Sequence, residues 1–431
     1  MKPQYALTPA PGGMLELSPS TPLNMRPSVF RHRRTVVRSC IGLSLFIIAA
    51  TATGAASDPV ERGRYLAAAG NCQSCHTREG GAPYAGGVAF ETPLGTLYST
   101  NITPDVQTGL GTWSDGDFLR AMHEGIGDDG EQLYPAFPYT SYTNMSRADI
   151  AALWAYMQTV PAVDYTPPDN ALIFPFNQRA LIRGWKWLNF EPGDLDAPAP
   201  RADRPVARGH YLVETLGHCG QCHTPRSTTY ALDSDRALTG AKLGGWYAPN
   251  ITSHADGVGG WSDAALDEYL ATGHVRAPSA AAVAAGPMAE VITDSTRVLS
   301  DADRAAMIAY LRTVPARASS APTGSAEAAQ TSALGDTLYA RHCVSCHVAG
   351  APGGPADAFS RYATVTGADP DNLIRVLLDG VARTGADGRV FMPGYASRLS
   401  DAQIAALVNT LRARVGASGI SGADVAAARK H

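Results

Sequence analysis

Three copies of a Cys-x-x-Cys-His motif constrain this chain more than any other feature. They read CQSCH at 72–76, CGQCH at 219–223 and CVSCH at 343–347. Six of the seven cysteines belong to these motifs, and only Cys40 lies outside them. A thioredoxin-like dithiol needs a βαβ pattern, and a zinc site needs a second pair of ligands in each unit. The sequence shows no βαβ pattern and supplies no further cysteines for a second pair of zinc ligands, which disfavours both explanations of the motif.

The spacing inside the motif favours covalent attachment of c-type haem. Residues three apart face the same side of a helix, so the two thiols can form thioethers with the two vinyl groups along one haem edge. The adjacent histidine can then turn its ring to the iron. The sequence therefore predicts three haem c groups, each with its iron. The predicted thioether cysteines are Cys72, Cys75, Cys219, Cys222, Cys343 and Cys346, and the predicted proximal ligands are His76, His223 and His347.

An internal repeat organises the chain into three homologous units. For example, YSTNITPD at 98–105 matches YAPNITSH at 247–254, and we expect Asn101 and Asn250 to hold these loops by side-chain hydrogen bonds to the backbone. Each unit starts with a helix that we expect to carry the Cys-x-x-Cys-His motif. Each unit ends with an amphipathic closing helix, whose predicted N-terminal caps are Ser146, Ser300 and Ser400. Strand-like alternation is scarce, so we expect a mainly α fold of three tandem class I cytochrome c-like domains with long loops.

Domain boundaries follow from these units and from the composition of the segments between them. The predicted boundaries are 57–190 for the first repeat with an aromatic connector, 191–205 for a Pro- and Asp-rich linker, 206–316 for the second repeat, 317–332 for a flexible linker, 333–415 for the third repeat and 416–431 for a tail. Residues 1–56 are predicted to be a signal peptide, with Met25 as an alternative start. Its apolar run is shorter than the ~20 residues of a comfortable membrane span, so we expect cleavage and export.

A methionine is the expected sixth iron ligand, because Met/His ligation raises the reduction potential and suits electron transfer. We expect Met392 and Met288 to lie in Gly- and Pro-containing loops before closing helices, and we predict that both ligate iron. The first repeat has Phe137 where such a methionine is expected. Met145 is the nearest alternative, and its rival is an open or differently ligated iron. His123 could form a bis-histidine site, although we expect it on a helix surface.

With these residues in place, the chain resembles the three-haem cytochrome c subunits of membrane-bound bacterial dehydrogenases of the alcohol, aldehyde, gluconate and fructose types. The resemblance spans about residues 58–414 and includes LYPAFPYTSYT and the connector FPFNQRALIRGWKWLNF at 174–190. It implies transfer of electrons from a catalytic subunit of flavin, quinone or molybdenum type to ubiquinone, or to a terminal oxidase. It also implies a place at the periplasmic face of the cytoplasmic membrane, at the membrane surface.

Three functions stay open at this point. The first is a non-catalytic electron-transfer subunit for a partner alcohol, aldehyde or sugar dehydrogenase. The second is a free-standing periplasmic multihaem carrier or an oxidase-associated cytochrome. The third is a catalytic enzyme that works at an open first haem, since Phe137 stands where the ligand methionine is expected. The net charge of −4 gives no electrostatic support for nucleic-acid binding, so no nucleic-acid partner is expected.

Overall fold

Helices form most of the regular structure, which confirms the predicted mainly α fold. The computed structural model describes residues 58–277, 280–320, 327–347, 358–385 and 388–430, so the predicted signal peptide lies outside the described residues. The helices of the first repeat and connector are α1 (Pro59–Ala69), α2 (Cys72–His76), α3 (Asp115–Glu124), α4 (Tyr139–Tyr142), α5 (Arg147–Met157) and α6 (Leu181–Asn189). Those of the second are α7 (Pro205–His210), α8 (Gly220–His223), α9 (Asp263–Thr272), α10 (Pro287–Asp294) and α11 (Asp301–Leu311). The last are α12 (Ala333–His342), α13 (Ala363–Thr366), α14 (Asp371–Asp379), α15 (Asp401–Ala413) and α16 (Gly422–Ala428).

Short antiparallel strands lie between the helices. They are β1 (Ala89–Thr92), β2 (Gly95–Tyr98), β3 (Ala171–Leu172), β4 (Ala241–Leu243), β5 (Trp246–Ala248), β6 (His274–Ala277), β7 (Ala280–Val283), β8 (Gly380–Gly385) and β9 (Gly388–Pro393). The first three form one sheet, and the others pair in sequence order. Between β4 and β5, Gly244 and Gly245 have φ values of 52° and 78°, which a tight hairpin turn requires.

In each repeat the first helix packs on the closing helix, as α1 on α5, α7 on α11 and α12 on α15. The first two crossings depend on glycine. A Cβ atom at Gly63 would lie 2.0 Å from the carbonyl oxygen of Ala152, and one at Gly209 would lie 1.9 Å from that of Ala306. Both helix pairs therefore approach too closely for any larger residue at these positions.

The predicted caps of the closing helices are confirmed. The side-chain oxygens of Ser146, Ser300 and Ser400 each accept a hydrogen bond from the backbone N–H three residues later, at 3.2, 3.1 and 3.3 Å. The Oε1 atom of Gln403 accepts a hydrogen bond from the backbone N–H of Ser400 at 2.9 Å, which completes a capping box. The start of each closing helix is thus fixed by local chemistry.

The first two repeats share a hydrophobic core, and the third repeat has its own. Leu66 and Leu153 of the first repeat belong to the same buried cluster as Leu212 of the second. The third repeat has a separate cluster, to which the buried Val425 of α16 contributes. The predicted tail thus contains a helix packed on α15. No helix in the described ranges is both long and apolar enough to cross a bilayer.

Candidate functional site

The Cys-x-x-Cys-His motifs lie beyond the first long helix of each repeat, so the prediction that this helix carries them was wrong. Asn71 has φ 51° and interrupts the helix between α1 and α2. His218 has φ 35° and lies just before α8. In the second repeat α7 first continues as one π-helical segment, Tyr211–Leu216. In the third, α12 ends at His342, directly before Cys343. A left-handed residue redirects the backbone, so the first two motifs need not follow the direction of the helix.

The first two motif histidines present the same nitrogen to solvent or ligand. The Nδ1 atom of His76 lies 2.7 Å from the carbonyl oxygen of Thr100, and Nδ1 of His223 lies 2.6 Å from that of Pro249. A carbonyl only accepts, so Nδ1 carries the proton and Nε2 keeps its lone pair. Burial lowers the pKa of both rings, which favours the neutral form. A neutral imidazole with a free Nε2 and an anchored Nδ1–H fits an axial ligand of haem iron.

Two asparagines hold the loops that supply these carbonyls, as predicted. The Oδ1 atom of Asn101 accepts from the N–H of Thr103 at 2.9 Å, while its Nδ2 donates to the carbonyl of Val163 at 2.8 Å. Asn250 makes the equivalent pair of bonds, with Thr252 N–H at 2.8 Å and the Arg317 carbonyl at 2.7 Å. The repeated NIT segment thus orients the two histidines, a role that sequence reasoning missed. The signal was its occurrence at the same place in both repeats.

The first cysteine of each motif contacts a hydrophobic core: Cys72 and Cys219 pack against the core of the first two repeats, and Cys343 belongs to that of the third. Burial raises the pKa of Cys72 and of Cys219 to about 12, and that of Cys343 to about 11. Burial and then the nearby Cys222 thiol raise the pKa of Cys75 to about 11. These four thiols are therefore neutral at pH 7, whereas zinc ligation or nucleophilic chemistry uses the thiolate. Such surroundings suit the apolar edge of a haem.

The third repeat has a different environment around its motif. Cys343 is buried, Cys346 is exposed, and the ring centroid of His347 lies 5.2 Å from that of Phe359. Cys343 belongs to the core cluster against which Met392 packs. The structure thus places a motif cysteine and the predicted sixth ligand around one apolar region.

The predicted sixth ligands of the last two repeats lie in regular elements, not in loops as expected. Met288 is the second residue of α10, which begins with Pro287 at a favourable first position. Met392 lies on β9, opposite Val381 of β8. Both methionines are half-buried. Their ligation of iron stays a prediction.

The first repeat keeps the departure seen in its sequence. Phe137 is half-buried against Tyr142, with ring centroids 5.7 Å apart. Met145 is 0% exposed and belongs to the core cluster against which Cys72 packs. His123 is buried and its Nε2 bonds the Gly193 carbonyl at 3.1 Å, so its predicted position on a helix surface was wrong. The role of Met145 as a ligand stays a prediction.

The motifs of the first two repeats lie next to each other. Ser74, inside the first motif, donates to Asp294 of α10 at 2.9 Å. His218, directly before the second motif, bonds the Gly70 carbonyl at 3.3 Å through its Nε2. Gln221, inside the second motif, donates to Thr140 at 3.4 Å. Two groups attached at these motifs would therefore be neighbours.

A pair of matching hydrogen-bonded clusters fastens the first two repeats together. Arg62 and Asp149 form an ion pair within the first repeat, and Tyr211 of the second donates to the same carboxylate at 2.7 Å. The second cluster contains Arg208, Asp303 and Tyr65, which hold the equivalent positions in sequence. In each cluster, the tyrosine thus comes from the other repeat. The signal in the sequence was the shared R-G-x-Y of the first helices.

The third repeat is fastened to the second by polar contacts around β5. The backbone N–H of Tyr247 donates to Asn372 Oδ1 at 2.9 Å, and Asn372 Nδ2 donates back to the Tyr247 carbonyl at 2.7 Å. Lys242 on β4 forms ion pairs with Asp369 and Asp371 at 3.2 and 2.7 Å. These contacts set the third motif relative to the second.

Two family models match three stretches of the chain. Residues 60–161 and 206–315 match the model described as Cytochrome c. Residues 330–409 match the model described as Cytochrome C oxidase, cbb3-type, subunit III.

Characterised relatives match most of the chain. The gluconate 2-dehydrogenase cytochrome c subunit of Pantoea cypripedii is 38% identical over 428 residues, which cover 90% of this chain and 93% of that protein. The fructose dehydrogenase cytochrome subunit of Gluconobacter japonicus is 38% identical, covering 83% of this chain and 79% of that protein. A nicotinate dehydrogenase component of Pseudomonas putida is 40% identical over 83% of this chain, which spans only 30% of that relative's length.

Proposed function

Because this chain belongs to the family of cytochrome c subunits of bacterial dehydrogenases, we propose that it carries three haem c groups and passes electrons from a dehydrogenase catalytic subunit to ubiquinone. The observation that carries this proposal is the anchoring of His76 and His223 through Nδ1. Bound haem supplies a one-electron redox centre, and the protein supplies its ligands, spacing and surroundings.

The chain's own residues fit this task. The NIT loops anchor two imidazoles through Nδ1, and burial favours their neutral form, so that Nε2 is available to iron. The packing of Cys72 and Cys219 against the hydrophobic core limits water at the attachment edge and favours a high reduction potential. The predicted sixth ligands, Met288, Met392 and Met145, would raise the potential further.

The contacts between repeats support an electron path along the chain. The first two motifs are neighbours, and the second repeat is held to the third through Lys242 and Tyr247. We infer no order of potentials from this arrangement. The role of the protein is to keep the attachment sites at fixed separations, because electron transfer slows steeply with distance.

The partner is proposed to be a catalytic subunit of flavin, quinone or molybdenum type that oxidises an alcohol, aldehyde or sugar-derived substrate. The relatives of Pantoea and Gluconobacter are named for gluconate and fructose dehydrogenases. Export of the chain and a place at the periplasmic face of the cytoplasmic membrane complete the proposal. Its sequence support is the apolar, basic-flanked segment within residues 1–56.

Affinity purification of the chain from its native host tests this proposal. We expect a dehydrogenase subunit to co-purify, three haems per chain by the pyridine haemochrome assay, and two in the double variant Cys343→Ala, Cys346→Ala. As a matched control, Cys40→Ala should keep three. Recovery of the cytochrome alone from gently solubilised membranes and from the soluble fraction would favour the free-standing carrier instead.

A further inference from the structure

The connector exposes an unusual concentration of large apolar side chains. Fourteen large hydrophobic residues are exposed in the described part of the chain, and six of them lie within residues 173–188. Their exposed fractions are 85% for Trp187, 78% for Phe174, 66% for Leu188, 56% for Ile173, 51% for Leu181 and 43% for Phe176. Single exposed apolar residues are ordinary, but a contiguous group marks an interaction surface.

Helix α6 differs from an ordinary surface helix, because it bonds to the protein through polar groups and exposes large apolar side chains. Its inward side is fastened by polar bonds: Lys186 Nζ donates to the carbonyls of Glu124 and Gly125 at 2.7 and 2.8 Å. Trp185 Nε1 donates to the Thr229 carbonyl at 2.7 Å. Because these polar groups face the protein, the opposite side of the helix presents Trp187 and Leu188 outwards.

The charge of the connector has one sign. Residues 171–190 contain Arg179, Arg183 and Lys186 and no Asp or Glu. Arg183 is exposed on α6, and Arg179 is exposed beside it while donating to the Gln132 carbonyl at 3.0 Å. Aromatic and aliphatic side chains interleaved with cations are the composition of helices that lie in the interface of an anionic bilayer.

We propose that the connector surface, formed by Phe174, Phe176, Leu181, Arg183, Trp187 and Leu188, inserts into the interfacial region of an anionic lipid bilayer. Helix α6 would lie in the plane of the membrane, with its aromatic side chains at headgroup depth and Arg183 against lipid phosphates. This inference rests on the membrane location in the proposed function and names the surface responsible. The polar inward bonds of Trp185 and Lys186 keep α6 formed, so binding requires no refolding.

A lipid surface is favoured over a protein partner by the connector's composition. The side chains that protrude are Phe, Trp and Leu, together with cations, and carboxylates are missing from residues 171–190. An anionic membrane attracts this charge over its whole area, with about 1 kcal/mol per basic residue near the surface. The alternative, that a dehydrogenase subunit docks on this surface, is one outcome of the test.

The test is co-sedimentation of the purified holo-cytochrome, without any dehydrogenase or quinone, with vesicles of phosphatidylcholine alone or mixed with phosphatidylglycerol. We expect binding to the anionic vesicles. Leu188→Glu should weaken it about tenfold or more, from the lost apolar burial and the added negative charge. Val106→Glu is the matched control, since Val106 is also 66% exposed but lies outside the connector, and its binding should match wild type. Arg183→Gln should weaken binding to anionic vesicles about fivefold and leave zwitterionic binding unchanged.

Two results would overturn the inference. One is equal vesicle binding by Leu188→Glu, Val106→Glu and wild type. The other is no vesicle binding by the wild type while Leu188→Glu releases the dehydrogenase subunit from the native complex, which would assign the connector surface to that partner. Haem absorption and melting temperature of each variant show that it is folded. Because the assay contains no electron donor, its failure leaves the electron-transfer proposal to its own test.

Discussion

The hydroxyl of Tyr65 in the first repeat donates a 2.6 Å hydrogen bond to the carboxylate of Asp303 in the second. Tyr211 returns the equivalent bond, to Asp149 of the first repeat, at 2.7 Å. The same tyrosine hydroxyls also accept from the backbone N–H groups of the closing-helix caps. The interface between the two repeats is therefore built from one cluster used twice, and it keeps the two motifs adjacent.

Removal of either hydroxyl should loosen this interface. Tyr65→Phe deletes a donor to a buried, charged carboxylate, and a bond of this kind contributes about 1.5–3 kcal/mol. We expect a loss of that size in the free energy of unfolding for Tyr65→Phe and for Tyr211→Phe, measured by urea denaturation. Tyr230→Phe, at an exposed tyrosine of the second repeat, should change stability little. Equal stability of all three variants would show that the exchanged tyrosines do not hold the repeats together.

The Asp303 cluster should make stability depend on pH in acid. Burial alone would raise the pKa of Asp303, but hydrogen bonds from Arg208 and Tyr65 outweigh burial and lower it. A lowered pKa contributes stability above the unfolded value of about 3.9, and that contribution is lost as the pH falls through the folded value. Wild type should exceed Arg208→Gln in free energy of unfolding by a constant amount above about pH 5, and this difference should shrink below about pH 4. A stability difference that grows on acidification would contradict this assignment.

The NIT loops should tune the haems that they face. Asn101→Ala frees the loop that presents the Thr100 carbonyl to His76, and so weakens the Nδ1 hydrogen bond. An imidazole that loses this bond is a poorer donor to ferric iron, so one haem potential should rise in spectroelectrochemical titration. Asn250→Ala should raise a different one. The exposed Asn177 provides the control, and its replacement by Ala should leave every potential in place.

The close helix crossings should not tolerate a methyl group. Gly63→Ala and Gly209→Ala place Cβ within 2.0 Å of backbone carbonyl oxygens, and overpacking of this kind costs about 1–3 kcal/mol or more. Thermal unfolding of the holo-protein should show a lower Tm for both. Gly260→Ala, which meets nothing within 4 Å, is the matched control. Unchanged Tm values for Gly63→Ala and Gly209→Ala would mean that the helices cross less closely than described.

Removal of a true sixth ligand should open one iron. Met392→Leu conserves volume, so the fold should be kept. One haem should then bind carbon monoxide, and its reduction potential should fall. Met157→Leu, in the buried core of α5, should do neither. If Met392→Leu also binds no carbon monoxide, Met392 is a packing residue and another group completes the third site.

The sequence predicted the features that depend on local chemistry. The serine caps of the closing helices and the helical fold class were readable because capping and helical periodicity are local. The start of α10 was readable too, from Pro287, although the stretch was interpreted as a loop.

Features that depend on tertiary packing were not predictable. The break at His218 places a non-glycine residue at positive φ, which local preference disfavours and the surrounding contacts impose. The exchange of tyrosines between repeats pairs residues more than two hundred positions apart for Tyr65 and Asp303. No pattern within one repeat indicates which neighbour completes its cluster.

We propose above that this chain relays electrons between a dehydrogenase and quinone. The most direct measurement is anaerobic addition of substrate to the native complex while the haem c absorption is recorded, followed by a ubiquinone analogue. We predict that substrate reduces the haem c of this chain and that the quinone analogue reoxidises it. If the catalytic subunit is reduced by substrate while the haem c of this chain stays oxidised, the account is contradicted.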